Sequence, residues 1–178
     1  AHLIPGNRET CFLGDIKGAA FDIAEAEARR MLNEPNAAGV PNSDVVLPWI
    51  NGLDVTRRER NMWIIDFGVY PERADCLRYQ EPFAYIDTHV RPVKSQNRRE
   101  IRARYWWRHS ETHPEMRSRI APLPRFLTTV AVAKHRLFVW TSLPTLPDHA
   151  VFVFARSDDY FFGVLHSRFH EVWALAQG

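Results

Sequence analysis

Residues 125–155, RFLTTVAVAKHRLFVWTSLPTLPDHAVFVFA, decide the class of fold. Three runs inside this stretch, 125–132 (RFLTTVAV), 136–142 (RLFVWTS) and 150–155 (AVFVFA), are rich in Val, Phe and Thr. Such side chains suit a pleated, half-buried surface, and short polar breaks separate the runs, so a meander-like set of strands is expected. Beyond it, Phe161, Leu165, Phe169, Val172 and Ala176 recur at helical spacing. One C-terminal helix is predicted there, with Ser157 or Asp158 as N-cap and Gly178 as stop.

Working towards the N-terminus, residues 98–109 (RREIRARYWWRH) hold five arginines around a tyrosine and two adjacent tryptophans. Before them, Pro71 opens a broken helical pattern that runs through Phe83, Ile86 and Val90 and bends or ends at Pro92. Residues 44–48 (DVVLP) and 62–67 (MWIIDF) read as short strands, with Asn51-Gly52 between them as a turn signal. Asp22 and Glu25 have capping-box spacing, and Ala24, Ala28 and Met31 follow on one face, so a helix is predicted over 22–33. The expectation is an α+β fold in a single domain over 1–178: a mostly antiparallel or mixed β-sheet with flanking helices and a C-terminal helix.

The 178 residues are 46% apolar and 25% charged, inside the range of folded globular domains. A chain of this size buries roughly 70% of its unfolded surface, enough to hold a core without disulfides or metals. Cys11 and Cys76 lack CxxC spacing, and no apolar run approaches the ~20 residues of a spanning helix. Reduced cysteines, no membrane association and a cytoplasmic location are therefore expected. The formal net charge is only +2, yet Arg91–Ile120 carries nine Lys or Arg against three Glu, so the basic character is a patch. Neither end has the look of a natural terminus, and the chain is read as a fragment of a longer protein.

The common hydrolase, NTPase, dinucleotide-binding and zincin motifs are absent. Asp15-Ile-Lys17 has the D-x-K shape of a metal-dependent nuclease, but such sites use a second acidic residue upstream, and nothing acidic except Glu9 precedes it. His166 and His170, four apart on a helix, suit one metal ion; capping or core hydrogen bonds suit them better, and no metal is expected. Asp158-Asp159 is either an acid/base pair or a pair of macrodipole partners. The arginines of 91–119 form a plausible phosphate-binding footprint, whereas Trp106 and Trp107 are expected mainly to pack. Lys134, His135 and Arg136 interrupt a β-rich run as a polar fingertip, suited equally to a base-edge contact and to a solvated turn.

Seven stretches in order carry a family resemblance: CFLGDIKGAAFDI (11–23), PNSDVVLPWINGLDV (41–55), MWIIDFG (62–68), EPFAYIDTHVRPVK (81–94), YWWRHS (105–110), RFLTTVAVAKHR (125–136) and LPDHAVFVFARSDDYFFGVLHSRFHEVWALA (146–176). Together they resemble the target recognition domain of MmeI-like and Eco57I-like type II restriction–modification DNA (adenine-N6) methyltransferases. The resemblance implies a module that reads double-stranded DNA. Methyl transfer from S-adenosylmethionine to a flipped adenine, and in many members DNA cleavage, would occur in domains N-terminal to it. No cofactor and no catalytic residue are expected in residues 1–178, and the implied partners are double-stranded DNA and the N-terminal methyltransferase domain.

Carried over by motif, the family's VxKHR-like element falls on Val132, Lys134, His135 and Arg136, and its P-D-x-x turn on Pro147, Asp148, His149 and Ala150. Base-readout candidates are Thr128, Ala131, Lys134, His135, Arg136, His149 and Ala150, and DNA-backbone candidates are Arg98, Arg99, Arg102, Arg104 and Arg108. Where relatives carry Pro-Arg, this chain has Val130-Ala131, which changes the expected base preference. Relatives also continue past the last helix into a tail that contributes to readout.

Overall fold

The computed structural model describes residues 9–132 and 135–177. They form two compact units, and the chain passes between them four times. The first unit takes residues 9–14, 50–59, 113–132 and 135–177; the second takes 15–49 and 60–112.

In the first unit, β1 is Cys11–Leu13. In the second, β2 is Asp22–Ile23 and α1 is Glu25–Asn33. The capping box expected at Asp22 is not formed: Asp22 lies in β2 and its carboxylate pairs with Lys17, while Ala24 takes the N-cap position with no side-chain bond. The apolar face holds, with Ala28 and Met31 buried. A 3-10 turn at Asn42–Asp44 leads into β3 (Val46–Ile50).

Asn51-Gly52 does not form a hairpin turn. Asn51 caps a short helix, α2 (Gly52–Thr56): its Oδ1 accepts from the Leu53 N–H at 2.8 Å, and Asp54 accepts from the Asn51 N–H at 2.9 Å. The Asn-Gly pair that serves a type I′ turn also serves an N-cap, and Asp54 three residues on selects the cap. β4 (Trp63–Ile65) is antiparallel to both β2 and β3, with Leu47 opposite Ile64, so the two predicted strands do pair. The helical pattern after Pro71 becomes α3 (Arg73–Cys76), α4 (Gln80–His89) and α5 (Arg91–Lys94), with Pro92 in the first turn of α5, followed by α6 (Glu100–Arg104).

The first unit resumes at α7 (Pro114–Ile120) and continues with β5 (Arg125–Val130), β6 (Phe138–Ser142), β7 (Leu146–Pro147), β8 (Val151–Phe154), α8 (Asp159–Leu165) and α9 (Arg168–Gln177). The decisive stretch is β as expected, but it is not a meander. β5 pairs with β6 on one side and with β8 on the other, and β1 closes the outer edge of β8, all antiparallel. Met116 and Ile120 of α7 pack on Phe126 and Val153 of this sheet. The single C-terminal helix is two, broken near His166; at the start of the first, Asp158 supplies the α8 N-cap by accepting from the Phe161 N–H at 2.9 Å. The mixed α+β class with antiparallel sheets and flanking helices is what the structure shows. Among the described residues, no helix is long and apolar enough to cross a membrane.

Candidate functional site

In the first unit the P-D-H-A turn is built around a buried carboxylate. Asp148 Oδ1 accepts from the Ala150 N–H at 2.9 Å, while the Asp148 N–H donates to the Ile50 carbonyl at 2.9 Å and its carbonyl accepts from the Val151 N–H at 3.0 Å. This Asx-type closure turns the next side chain outward. His149 is exposed, with Nδ1 3.2 Å from Asp148 Oδ1. Gly14 lies directly against the turn: a Cβ there would come within 2.3 Å of the Asp148 carbonyl oxygen.

The Ala131 N–H donates to the Ala150 carbonyl at 2.8 Å, extending the β5–β8 ladder past Val130 and Val151. Beside it lies a groove of about 510 Å³ walled by Leu53, Val130, Val132 and Ala150, with Asn51 and His135 as its polar edges. The fold thus brings His135 and Ala150 around one predominantly apolar groove, with Ala131 bonded to Ala150 through the main chain and His149 next in the turn.

Two other candidates are used differently. Thr128 is fully buried and its hydroxyl bonds the Thr141 hydroxyl at 2.9 Å, so it belongs to the sheet interior and presents nothing to a ligand; it leaves the readout set. Its period-two position on β5 points it inward. Arg136 is exposed but donates through Nη2 to the Ala174 carbonyl of α9 at 2.9 Å. Lys134 lies outside the described residues.

In the second unit the sequence RREIRARYWWRH resolves into two roles. Trp106 and Trp107 are 6% and 7% exposed and join an aromatic series from Phe67 through Phe83, with centroid spacings of 6.3, 5.8 and 6.1 Å. They anchor the segment, as expected. Arg98 and Arg104 are exposed. Arg99, Arg102 and Arg108 line a cavity of about 470 Å³, where Arg102 pairs with Glu111 at 2.9 Å and Arg108 lies over Tyr105. Lys94, counted in the basic patch but not singled out from it, lines the same cavity and is 2% exposed; its Nζ donates to the Arg108 carbonyl. Burial first, then the neighbouring Arg102 and Arg108, push its ammonium down to about 8.

The same unit holds a buried cluster that the sequence does not announce. His109 Nδ1 lies 3.1 Å from Asp15 Oδ2 and 3.8 Å from Asp66 Oδ1, and His109 Nε2 lies 3.0 Å from the Ile65 carbonyl. A carbonyl only accepts, so the ring is placed with Nε2 towards an acceptor and Nδ1 towards the carboxylates. Ligand-type atoms of the three residues lie within 4.8 Å of one another, a set of the kind that can hold a metal. The D-x-K reading gains its second acid in Asp66, but Lys17 is bound to Asp22 and Asp15 is fully buried, an arrangement suited to holding the fold rather than to cutting a substrate.

The remaining alternatives resolve as ordinary structure. His166 Nε2 and His170 Nδ1 face the Phe138 and Leu165 carbonyls at 3.0 and 2.8 Å. Asp159 pairs with Arg125 at 2.6 Å, while Asp158 is held below the usual aspartate range by Arg156 and the Phe161 N–H. Both cysteines are free thiols, and burial pushes Cys76 up to about 12.

No family model and no curated protein matches this sequence. Among solved structures, the chain is similar to one described as the Type IIL restriction-modification enzyme MmeI in complex with DNA, with implications for engineering new specificities; the TM-score is 0.67 at 11% identity. The match covers 92% of this chain and 21% of that one, so the chain spans about a fifth of its neighbour's length, and what the two share is a fold.

Proposed function

We propose that this chain is the double-stranded DNA recognition module of a type II restriction–modification adenine-N6 methyltransferase. The supporting observation is the fold shared, over 92% of the chain, with an enzyme solved on DNA. In this reading the first unit meets base edges through His135, His149 and Arg136, which supply hydrogen-bonding groups, while Ala131 and Ala150 supply apolar surface for a thymine methyl or leave room for it. Lys134 joins them by its place in the sequence. The second unit holds phosphates through Arg98, Arg99, Arg102, Arg104 and Arg108, which adds affinity without sequence preference. S-adenosylmethionine, the methyl transfer and any cleavage belong to other domains of the parent protein.

The test is fluorescence anisotropy of a labelled duplex titrated at several salt concentrations. Arg98→Ala combined with Arg104→Ala should weaken binding to all sequences alike and reduce the salt slope by about one unit per lost phosphate contact. An unchanged slope would take these arginines off the DNA. His149→Ala should instead alter discrimination between competitor duplexes, by about 1–3 kcal/mol at one base pair.

One observation favours a second reading, a protein-interaction or scaffold domain of a defence complex. Phe169, Trp173 and Leu175 of α9 are 90%, 61% and 65% exposed. Absence of duplex binding even at low salt would favour that reading.

A further inference from the structure

We propose that the cavity around Lys94 is a specific site for a phosphate group, with Lys94, Arg99, Arg102 and Arg108 as its ligands. Four cationic side chains line a space of about 470 Å³, and the carboxylate among its walls, Glu111, is engaged by Arg102. That volume falls within the range of small-molecule sites, and guanidinium forks match phosphate oxygens two at a time.

Lys94 is the reason to expect a ligand rather than a solvated basic face. Lysine is almost never fully buried without a counter-charge. Here the ammonium has the Arg108 carbonyl as acceptor and the Phe21 ring 5.3 Å away, and no carboxylate among the described residues forms an ion pair with it. Arg102 and Arg108 oppose its charge, and burial disfavours it further. Arginine alone would serve a merely electrostatic surface, whereas a buried lysine amid arginines gains most from an oxyanion that compensates all of them. Tyr105 and His109 are the other titratable residues of the lining, with the Asp15 and Asp66 carboxylates behind His109, and the lining itself sets four cationic side chains against the one carboxylate of Glu111.

The ligand chemistry is a phosphate mono- or diester, from a free phosphate or from a nucleic-acid backbone. The proposal deepens the phosphate-holding role given above to Arg99, Arg102 and Arg108, and it uses only the second unit's own residues. It is tested by thermal unfolding of the chain in millimolar inorganic phosphate against chloride of equal ionic strength, with Lys94→Met and with Arg99→Ala combined with Arg108→Ala. A saturable phosphate-specific rise in Tm is expected for the wild type. Each variant should weaken it about tenfold or more, as loss of a charged hydrogen bond implies. Should Lys94→Met fail to fold, the arginine pair and a pH series decide: wild-type phosphate affinity should fall about tenfold between pH 7 and pH 9.5 as the ammonium loses its proton. No phosphate-specific rise in the wild type, or the same rise in the variants that fold, overturns the proposal.

A duplex titration with the same variants separates the sources. Loss of both phosphate and duplex binding assigns the pocket to a backbone phosphodiester, and loss of phosphate binding alone assigns it to a free phosphate. Duplex binding with no phosphate effect defeats this pocket and leaves DNA recognition standing; phosphate binding with no duplex binding does the reverse.

Discussion

At the scale of single residues, Asp148 carries the geometry of the exposed turn. Its carboxylate replaces a backbone partner for the Ala150 N–H, so Asp148→Ala should cost about 1–2 kcal/mol in urea unfolding, while Asp148→Asn, which keeps an acceptor, should cost less than half of that. Under the proposed DNA reading, the same pair should also differ in DNA discrimination, because Asp148→Asn keeps the turn that carries His149. Gly14 is constrained by space rather than by backbone angle. Its absent Cβ would meet the Pro147 and Asp148 carbonyl oxygens at 2.4 and 2.3 Å, both of them main-chain atoms with no rotamer to yield. Gly14→Ala should destabilise by about 1–3 kcal/mol, measured by the urea midpoint at unchanged m-value. Gly14 was legible only as part of the motif at 11–23; the turn it touches lies more than a hundred residues away, and no local pattern joins the two.

Elements were legible where the signal was periodic and local. The Val, Phe and Thr runs of 125–155 become β5, β6 and β8, and the tryptophans of the basic stretch become anchors. What periodicity does not encode is the neighbour of a strand: β8 passes over β6 and pairs with β5, a choice set by which faces bury together. Asp22 and Asn51 show the same limit in opposite directions. A good capping residue was drawn into a strand by Lys17, and a good turn residue was drawn into a cap by Asp54. The C-terminal apolar series predicts one helix, whereas the structure has two, and α9 exposes Phe169, Val172, Trp173 and Leu175. Within the sheet, Thr128 and Thr141 form a closed hydroxyl pair across β5 and β6. Thr128→Val should cost about 1–3 kcal/mol by stranding the Thr141 hydroxyl, and adding Thr141→Val should recover much of that loss, a coupling that a double-mutant cycle in urea would measure.

At the scale of the whole molecule, the buried charges set how stability follows pH. Lys94 titrates near 8 in the fold and near the ordinary lysine value of about 10.4 when unfolded. The unfolded chain therefore binds more protons between those values, and this group makes stability rise as pH climbs from about 8 to about 10. Relative to Lys94→Met, the wild type should gain on the order of 1–3 kcal/mol across that window, read from paired urea titrations at pH 7.5 and pH 10. A bound phosphate would flatten the rise by holding the proton in place. Neither this lysine nor the Asp15–Asp66–His109 cluster was visible in the sequence, since residues 15, 66 and 109 meet only once the chain has folded. The four passages between the units carry a further consequence, for synthesis on the ribosome. The residues assigned to the second unit have all been synthesised by residue 112, whereas the β1 strand and the α2 helix of the first must wait for β5 and β8, the first of which begins about seventy residues after α2 ends. Cys11–Leu13 is therefore an unpaired strand edge from its synthesis until Val151–Phe154 is made, and that interval exposes it to mispairing in a crowded cell.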